Sequence, residues 1–295
     1  MIEESFSDKS SEEARQLKER RQELLRKLGD ALGRTAVAYF TSQIHPVVID
    51  KTDADMLEEV LRQSDLRSGL CLVLDTPGGD GITAERIVRI CRVYSKNRFD
   101  VFVARRAKSA GTIIAMGADR IFMGETSALG RIDPQIVVEE KNGTQSVMPA
   151  HVVVKSFDYL VNKARVSEGN VQAYLQQLSD YNSKEIELIR RQLRMTEDIA
   201  FRCLKQGMWA EMGEKEIMRR IAPFVTPAVT KAHARDIFFD EAQKAGLKIE
   251  LVRQDAQVWG IVCDYYGLAW DLIATKHCKL IESKDAHFSL PWQDK

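Results

Sequence analysis

The sequence predicts an α/β protein with a largely parallel sheet, on three observations. Short β-type runs and amphipathic helical stretches alternate from residue 36 to about residue 140, as strands joined through crossover helices do. The 295 residues are 44% hydrophobic and 29% charged, enough for a real core beneath a solvated surface. No internal repeat or low-complexity linker divides the chain.

In chain order, residues 10–33 read as one charged helix. Ser10 and Glu13 have capping-box spacing, and Leu17, Leu24, Leu25, Leu28 and Leu32 form a narrow apolar stripe. TAVAYFTS and GLCLVLDTPGG read as strands, separated by the helical DADMLEEVLRQS. ITAERIVRICRVYSK is an amphipathic helix, DVFVAR a strand, SAGTIIAMGA a short apolar helix and RIFMG a further strand. VVEEKNGTQSVM reads as a hairpin around Asn142-Gly143, and Pro149 suits the first turn of a helix through AHVVVKSFDYLVNKA.

Beyond residue 166 the pattern is mostly helical. About three helices are expected across residues 169–209, then a helix in AHARDIFFDEAQKAGL stopped by Gly246. KIELVR reads as a strand, and a last helix from DAQVWG is expected to be interrupted near Gly267. The organisation expected is an N-terminal helix (1–35), an α/β core (36–165) and a mostly helical extension packed on it (166–295).

Lys+Arg and Asp+Glu each number 43, and this neutral balance argues against a general electrostatic grip on nucleic acid or anionic membrane. Five well-separated cysteines without a CxxC pair fit reduced thiols in a cytoplasmic protein. No apolar signal-peptide core and no run of about 18 apolar residues is present, so neither a signal peptide nor a membrane span is expected. HExxH, GxGxxG and Walker motifs and Cys/His clusters are missing, so no metal and no cofactor is expected.

Two short motifs carry chemistry. LDTPGGD ends a strand in Thr76-Pro77-Gly78-Gly79; paired glycines let the main chain approach a ligand and present N–H groups to an oxyanion, and they also serve plain turns. In KSAGT, Ser109 follows a strand and opens a helix, where the dipole and free N–H groups favour developing negative charge and the Ala110 N–H can join the glycine donors. A serine there is also an ordinary helix N-cap. The motif is not GxSxG, which excludes an α/β-hydrolase elbow.

Taken together, YFTS at 39–42, LVLDTPGGD at 72–80, AKSAGTIIAMGADRIFMG at 107–124 and SALGRIDPQI at 127–136 resemble the serine dehydrogenase proteinase family. These are relatives of signal peptide peptidase A within the Clp protease/crotonase superfamily; a weaker echo continues in HARDIFFDEAQKAGL at 233–247. The resemblance implies a Clp/crotonase-like fold of stacked β-β-α units, with Ser109 as nucleophile and Gly78, Gly79 and Ala110 forming the oxyanion hole. It further implies an ATP-independent Ser-Lys peptidase acting on peptides or unfolded segments, assembled as a homo-oligomer.

A lysine in an apolar pocket can serve as general base. Lys155, with apolar neighbours in VVVKSF and downstream of ALGRIDPQ, is the first candidate, and Lys163 on the same helix is the fallback. Lys141 lies in the polar hairpin, and Lys108 departs from the uncharged residue the family has next to the serine. Lys155 also reads as a helix lysine covering apolar surface. The alternative base is His151 with Asp133 as orienter, as in Clp-type Ser-His-Asp sites, whereas His45, His277 and His287 lie in a loop and a polar tail. Arg105, Arg106 and Lys108 are either a solvated strand end or a seat for an acidic substrate terminus; Tyr265, Tyr266 and Trp270 read as core or subunit contact. Two other functions remain open: a crotonase-type acyl-CoA enzyme and a catalytically inactive scaffold.

Overall fold

The computed structural model describes residues 2–45, 47–139, 143–166, 169, 171–225 and 235–292. Two strands buried along their whole length, β1 (Thr35–Thr41) and β2 (Leu70–Thr76), form the centre of a sheet. Strands β3 (Phe99–Ala107), β4 (Ile121–Gly124) and β8 (Ile249–Val252) continue it in parallel. On the other side β9 (His277–Ser283) runs antiparallel to β1, and β10 (His287–Pro291) is antiparallel to β9. The order is β10-β9-β1-β2-β3-β4-β8, and the short β5 (Ala128–Leu129) pairs with the end of β3. A separate hairpin joins β6 (Gln135–Glu139) and β7 (Gln145–Pro149).

Helices cover both faces. On one, α1 (Ile2–Leu32) and α10 (Gln257–Thr275) bury Leu25, Leu28, Val262 and Tyr265 against Phe40, Val73 and Phe102. On the other, α2 (Lys51–Arg62), α3 (Gly81–Tyr94), α4 (Ala110–Met116), α7 (Ser183–Gln206) and α8 (Glu214–Val225) pack Leu57, Ile87, Ile114, Ile199 and Ile221 against Leu72 and Val101. Helices α5 (Ala150–Val166), α6 (Val171–Leu178) and α9 (Phe239–Lys244) complete the described elements.

Strand β9 carries a buried charge on each face. Lys279 Nζ donates to Asp50 Oδ2 at 2.7 Å and Asp53 Oδ2 at 2.8 Å, the two residues of the α2 capping box. Glu282, on the opposite face, accepts from Arg21 of α1 at 2.7 Å and from the Tyr265 hydroxyl of α10 at 2.8 Å, and meets His287 Nδ1 at 2.7 Å. Such pairs hold because each buried charge is matched and hydrogen-bonded; loss of one partner would strand the other.

Several sequence expectations are corrected. The N-terminal helix begins at Ile2, so Ser10 lies inside it and does not cap its start. Of the helices expected across 169–209 the structure forms α6 and α7, with the next helix beginning only at Glu214. In AHARDIFFDEAQKAGL the helix is only Phe239–Lys244, since Ile237 pairs with Leu129 as a β-bridge; residues 232–234 lie outside the described residues. Helix α10 runs through Gly267 unbroken, held by Tyr265 and Ala269 on its buried face. His277 and His287 sit on sheet strands, not in a polar tail.

Strands β2 and β3 shift register between Leu74 and Thr76. The buried Asp75 spans that irregularity, its Oδ1 accepting the Arg106 N–H at 2.8 Å. Burial pushes the Asp75 carboxyl up to about 6, against the opposing Arg106 N–H and the Arg106 and Arg105 charges. A carboxyl raised in the folded state binds protons that the unfolded chain has already released, so its contribution to stability is present at low pH and is lost as pH rises toward 6. Asp75→Asn keeps the acceptor without the ionisation. We expect the wild-type-minus-variant stability difference to fall by roughly 2–3 kcal/mol between about pH 4 and pH 7, measured by urea denaturation at each pH.

Candidate active site

The site begins where β2 runs out. Thr76 Oγ1 accepts from the Thr41 hydroxyl at 2.7 Å and from the Gly78 N–H at 3.1 Å, fixing the turn to the end of β1. Gly78 and Gly79 have φ of +108° and +150°, and neither tolerates a side chain. A Cβ on Gly78 would lie 2.6 Å from Ser109 Cβ and 2.7 Å from the Lys108 carbonyl; one on Gly79 would lie 2.4 Å from Ile49 N and O. Ile49 brackets the turn from outside, donating its N–H to Gly78 O at 2.8 Å and accepting from Asp80 N–H at 2.9 Å. Asp80 then caps α3, its carboxylate accepting from Thr83 N–H at 2.9 Å. The Gly79 N–H makes no hydrogen bond among the described residues.

Opposite stands Ser109, half-buried, with φ 48° and ψ −117°. A non-glycine residue held there costs about 1–3 kcal/mol, and such strain persists only where the surroundings enforce it. Ser109 holds the N-cap position of α4, yet its side chain makes no capping hydrogen bond. Helix α4 is instead entered through Gly111 N–H to Lys108 O at 2.7 Å and Thr112 N–H to Ser109 O at 2.9 Å, leaving the Ala110 N–H without a partner among the described residues.

Lys108 turns away from the turn: its Nζ reaches Leu129 O at 3.2 Å and forms an ion pair with Asp236. Of the other basic residues before Ser109, Arg105 lies over the rings of Tyr266 (5.1 Å) and Trp259 (5.8 Å), while Arg106 is exposed.

The segment after β5 crosses α4, where Thr112 Oγ1 donates to Ala107 O at 2.7 Å and accepts from Gly130 N–H at 3.0 Å. It then reaches Pro134, whose carbonyl takes the Ala150 N–H at 2.9 Å and so seats the start of α5. His151 there meets the buried Asp133 carboxylate, Nδ1 to Oδ2, at 3.3 Å. Burial holds the imidazole pKa below its usual value against the Asp133 charge, and Lys155 adds to the lowering.

Lys155 is exposed one turn further on, and Lys163 is exposed with its Nζ 5.6 Å over the Tyr159 ring. Lys141 lies outside the described residues. The fold thus sets Gly78 and Ala110 against Ser109 and joins His151 to Asp133, but no hydrogen bond links Ser109 to His151, Lys155 or Lys163. Sequence reasoning missed the scaffold role of Ile49, which bears no motif of its own, and the roles of Thr112 and Arg131, which lie inside the KSAGT and SALGRIDPQI stretches but have no part in the motif reading.

Among the described residues no group of three or more His, Cys, Asp or Glu is placed to hold a metal ion, and no helix is long and apolar enough to cross a membrane.

Comparison with known proteins adds three findings. Two uncharacterized proteins of Methanocaldococcus jannaschii are 32% identical over 84 residues and 34% identical over 82 residues. These matches cover 28% and 27% of this chain, and only 29% and 28% of the relatives' own lengths. Among solved structures, one of the 1510-N membrane-bound stomatin-specific protease has 22% identity and a TM-score of 0.29, over 43% of this chain and 62% of that one. A second, in complex with a substrate peptide, has 15% identity and a TM-score of 0.29, over 75% of this chain and 94% of that one. The profile of the ClpP-like SDH-type serine proteinases matches residues 9–255, spanning every strand from β1 to β8 and both chemical motifs. The chain belongs to the ClpP-like SDH-type serine proteinase family.

Proposed function

We propose that this protein is a serine peptidase in which Ser109 is the nucleophile. The observation that carries this is the strained, uncapped Ser109 pressed against Gly78, with the unengaged Ala110 N–H next to it in sequence and the unengaged Gly79 N–H in the facing turn. Strain without a capping bond serves no stability purpose, whereas it exposes a hydroxyl at a helix start. In the reaction Ser109 Oγ forms the new bond to the peptide carbonyl carbon as a base takes its proton. The carbonyl oxygen becomes an oxyanion hydrogen-bonded by the Gly79 and Ala110 N–H groups. Collapse breaks the C–N bond, the base returns the proton to the leaving amine, and water then hydrolyses the acyl-enzyme. Gly78 supplies room for the close approach, since its own N–H is engaged by Thr76.

For the base, the resemblance implies a lysine, with Lys155 the candidate. Its exposure is the difficulty, because a lysine becomes a good base at neutral pH only when desolvated. The half-buried His151, with the buried Asp133 carboxylate 3.3 Å from its Nδ1 and burial disfavouring its charged form, supports the Ser-His-Asp alternative more directly. We therefore favour His151 as base, with Lys155 as the second reading. Five unpaired cysteines, four of them buried, accord with a reducing compartment, and a cytoplasmic location is part of the proposal. Self-assembly is a further part: Val137 and Val147 of the hairpin, Val152 and Tyr159 of α5, and Leu188 of α7 are all exposed apolar side chains.

Three outcomes are expected. A fluorophosphonate probe labels the wild type at Ser109, mapped by mass spectrometry, and Ser109→Ala is not labelled; an unlabelled wild type refutes the nucleophile. The pH profile of kcat/KM rises through a midpoint below 6.5, the ordinary histidine value, because only the neutral imidazole accepts the proton. His151→Asn then loses roughly 10²–10⁴-fold in kcat/KM while the acid limb survives Lys155→Met; a midpoint above neutrality that vanishes in Lys155→Met would transfer the role. Light scattering coupled to size exclusion gives a mass that is a multiple of 33.5 kDa, and a monomer mass refutes assembly.

A further inference from the structure

Arg131 is the odd charge of the molecule. It lies between Gly130, which Thr112 holds against α4, and Ile132, whose N–H donates to Phe224 O at 3.1 Å. Both neighbours are thus fixed, and the side chain is carried inside with 3% of its surface exposed. There Nε, Nη1 and Nη2 all lack a hydrogen-bond partner. Every other buried cation described above has a matched carboxylate: Lys279 has Asp50 and Asp53, and Arg21 has Glu282.

The charged groups that act on Arg131 are Asp133, which favours its charge, and Arg235, which opposes it. Asp133 Oδ2 faces His151 Nδ1 at 3.3 Å, and Arg235 is paired with Glu241. Burial lowers the guanidinium pKa, but an arginine stays protonated at any physiological pH. A planar, five-donor cation is therefore held out of water with its donors unspent, a state that is costly unless an anion fills it. The guanidinium fork matches a carboxylate in shape, with two parallel N–H···O bonds.

We propose that Arg131 is a substrate-binding residue that takes a carboxylate of the peptide. Its backbone position suits it to this role, since it stands two residues before Asp133, on the strap that links the Ser109 helix to the His151 helix. The carboxylate is either the C-terminal group of a peptide or an Asp or Glu side chain next to the scissile bond. This rests on the peptidase reading, and it turns a general peptidase into one selective for acidic or terminal sites.

Binding is measured by fluorescence anisotropy on Ser109→Ala protein, which cannot turn substrate over. The probes are a short neutral peptide with a free C-terminus, its C-terminal amide, and amides bearing one Glu or one Gln. The free-acid or the Glu peptide should bind at least about tenfold more tightly than its neutral twin, as a charge-assisted bidentate contact does. Which of the two gains identifies the source of the carboxylate. The preference should vanish in Ser109→Ala/Arg131→Gln and be only partly kept by Arg131→Lys, which retains the charge without the fork. Thermal stability separates binding from structure: a subsite arginine leaves Tm equal or higher on Arg131→Gln, and a lowered Tm with equal loss of all four peptides overturns the proposal. Equal binding of the charged and neutral twins, a preference that survives Arg131→Gln, or no binding at all also overturns it. If the carboxylate preference stands while wild-type Ser109 resists the fluorophosphonate probe, the catalytic reading fails and the subsite remains.

Discussion

The buried ammonium of Lys279 governs more of this structure than any other single contact. It ties β9 to Asp50 and Asp53, the capping box of α2, and the residue before Asp50 is Ile49. Ile49 in turn clasps the Gly78-Gly79 turn through two backbone hydrogen bonds. The glycine turn can press on Ser109 only because its outer side is held by this bracket. Asp75 does the corresponding work on the inner side, bridging β2 to β3 where their ladder slips. The candidate site is therefore braced on one side by the Lys279 contacts to Asp50 and Asp53, and on the other by Asp75 directly before Thr76.

A strained serine and unengaged amides imply a scaffold that is stiff nearby. The first turn of α4, the end of β3 and the strap through Gly130 are cross-linked by Thr112, whose one hydroxyl serves two carbonyls and one N–H. Preorganised donors of this kind cost nothing to reorient when charge develops, which is why fixed amides outperform water at stabilising an oxyanion. Lys108, which as a neighbour of Ser109 would disturb that field, is instead neutralised by Asp236 and drawn toward β5.

How much of this is legible in the sequence depends on what each residue has to do. The alternation from β1 to β4 is readable because each strand is apolar and each helix amphipathic, and TPGG is readable because positive φ and close approach demand glycine. Strand β9 is not: HCKLIES places Lys279 and Glu282 three residues apart, hence on opposite faces, and both look solvated. Their partners lie 226 and 261 residues away, so no local pattern reveals that both charges are buried. Gly267 misleads in the other direction, since a glycine penalty of about 1 kcal/mol is overridden by the burial of Tyr265 and Ala269 beside it. For the site, the serine and glycines are legible as motifs, but Ser109's φ, the loss of its cap and the orphaned guanidinium of Arg131 are tertiary facts. The choice between Lys155 and His151 is of the same kind, because exposure is not written in VVVKSF.

The long reach of the β9 contacts also bears on how the chain comes to be folded. Strand β1 is made well before its outer neighbour β9, which follows about 240 residues later. During ribosomal synthesis β1 therefore presents an open sheet edge, and the carboxylates of Asp53 and Asp50 have no counterion, until the C-terminal hairpin emerges. Closure of this side of the sheet and bracing of the glycine turn through Asp50 and Ile49 therefore both wait on β9.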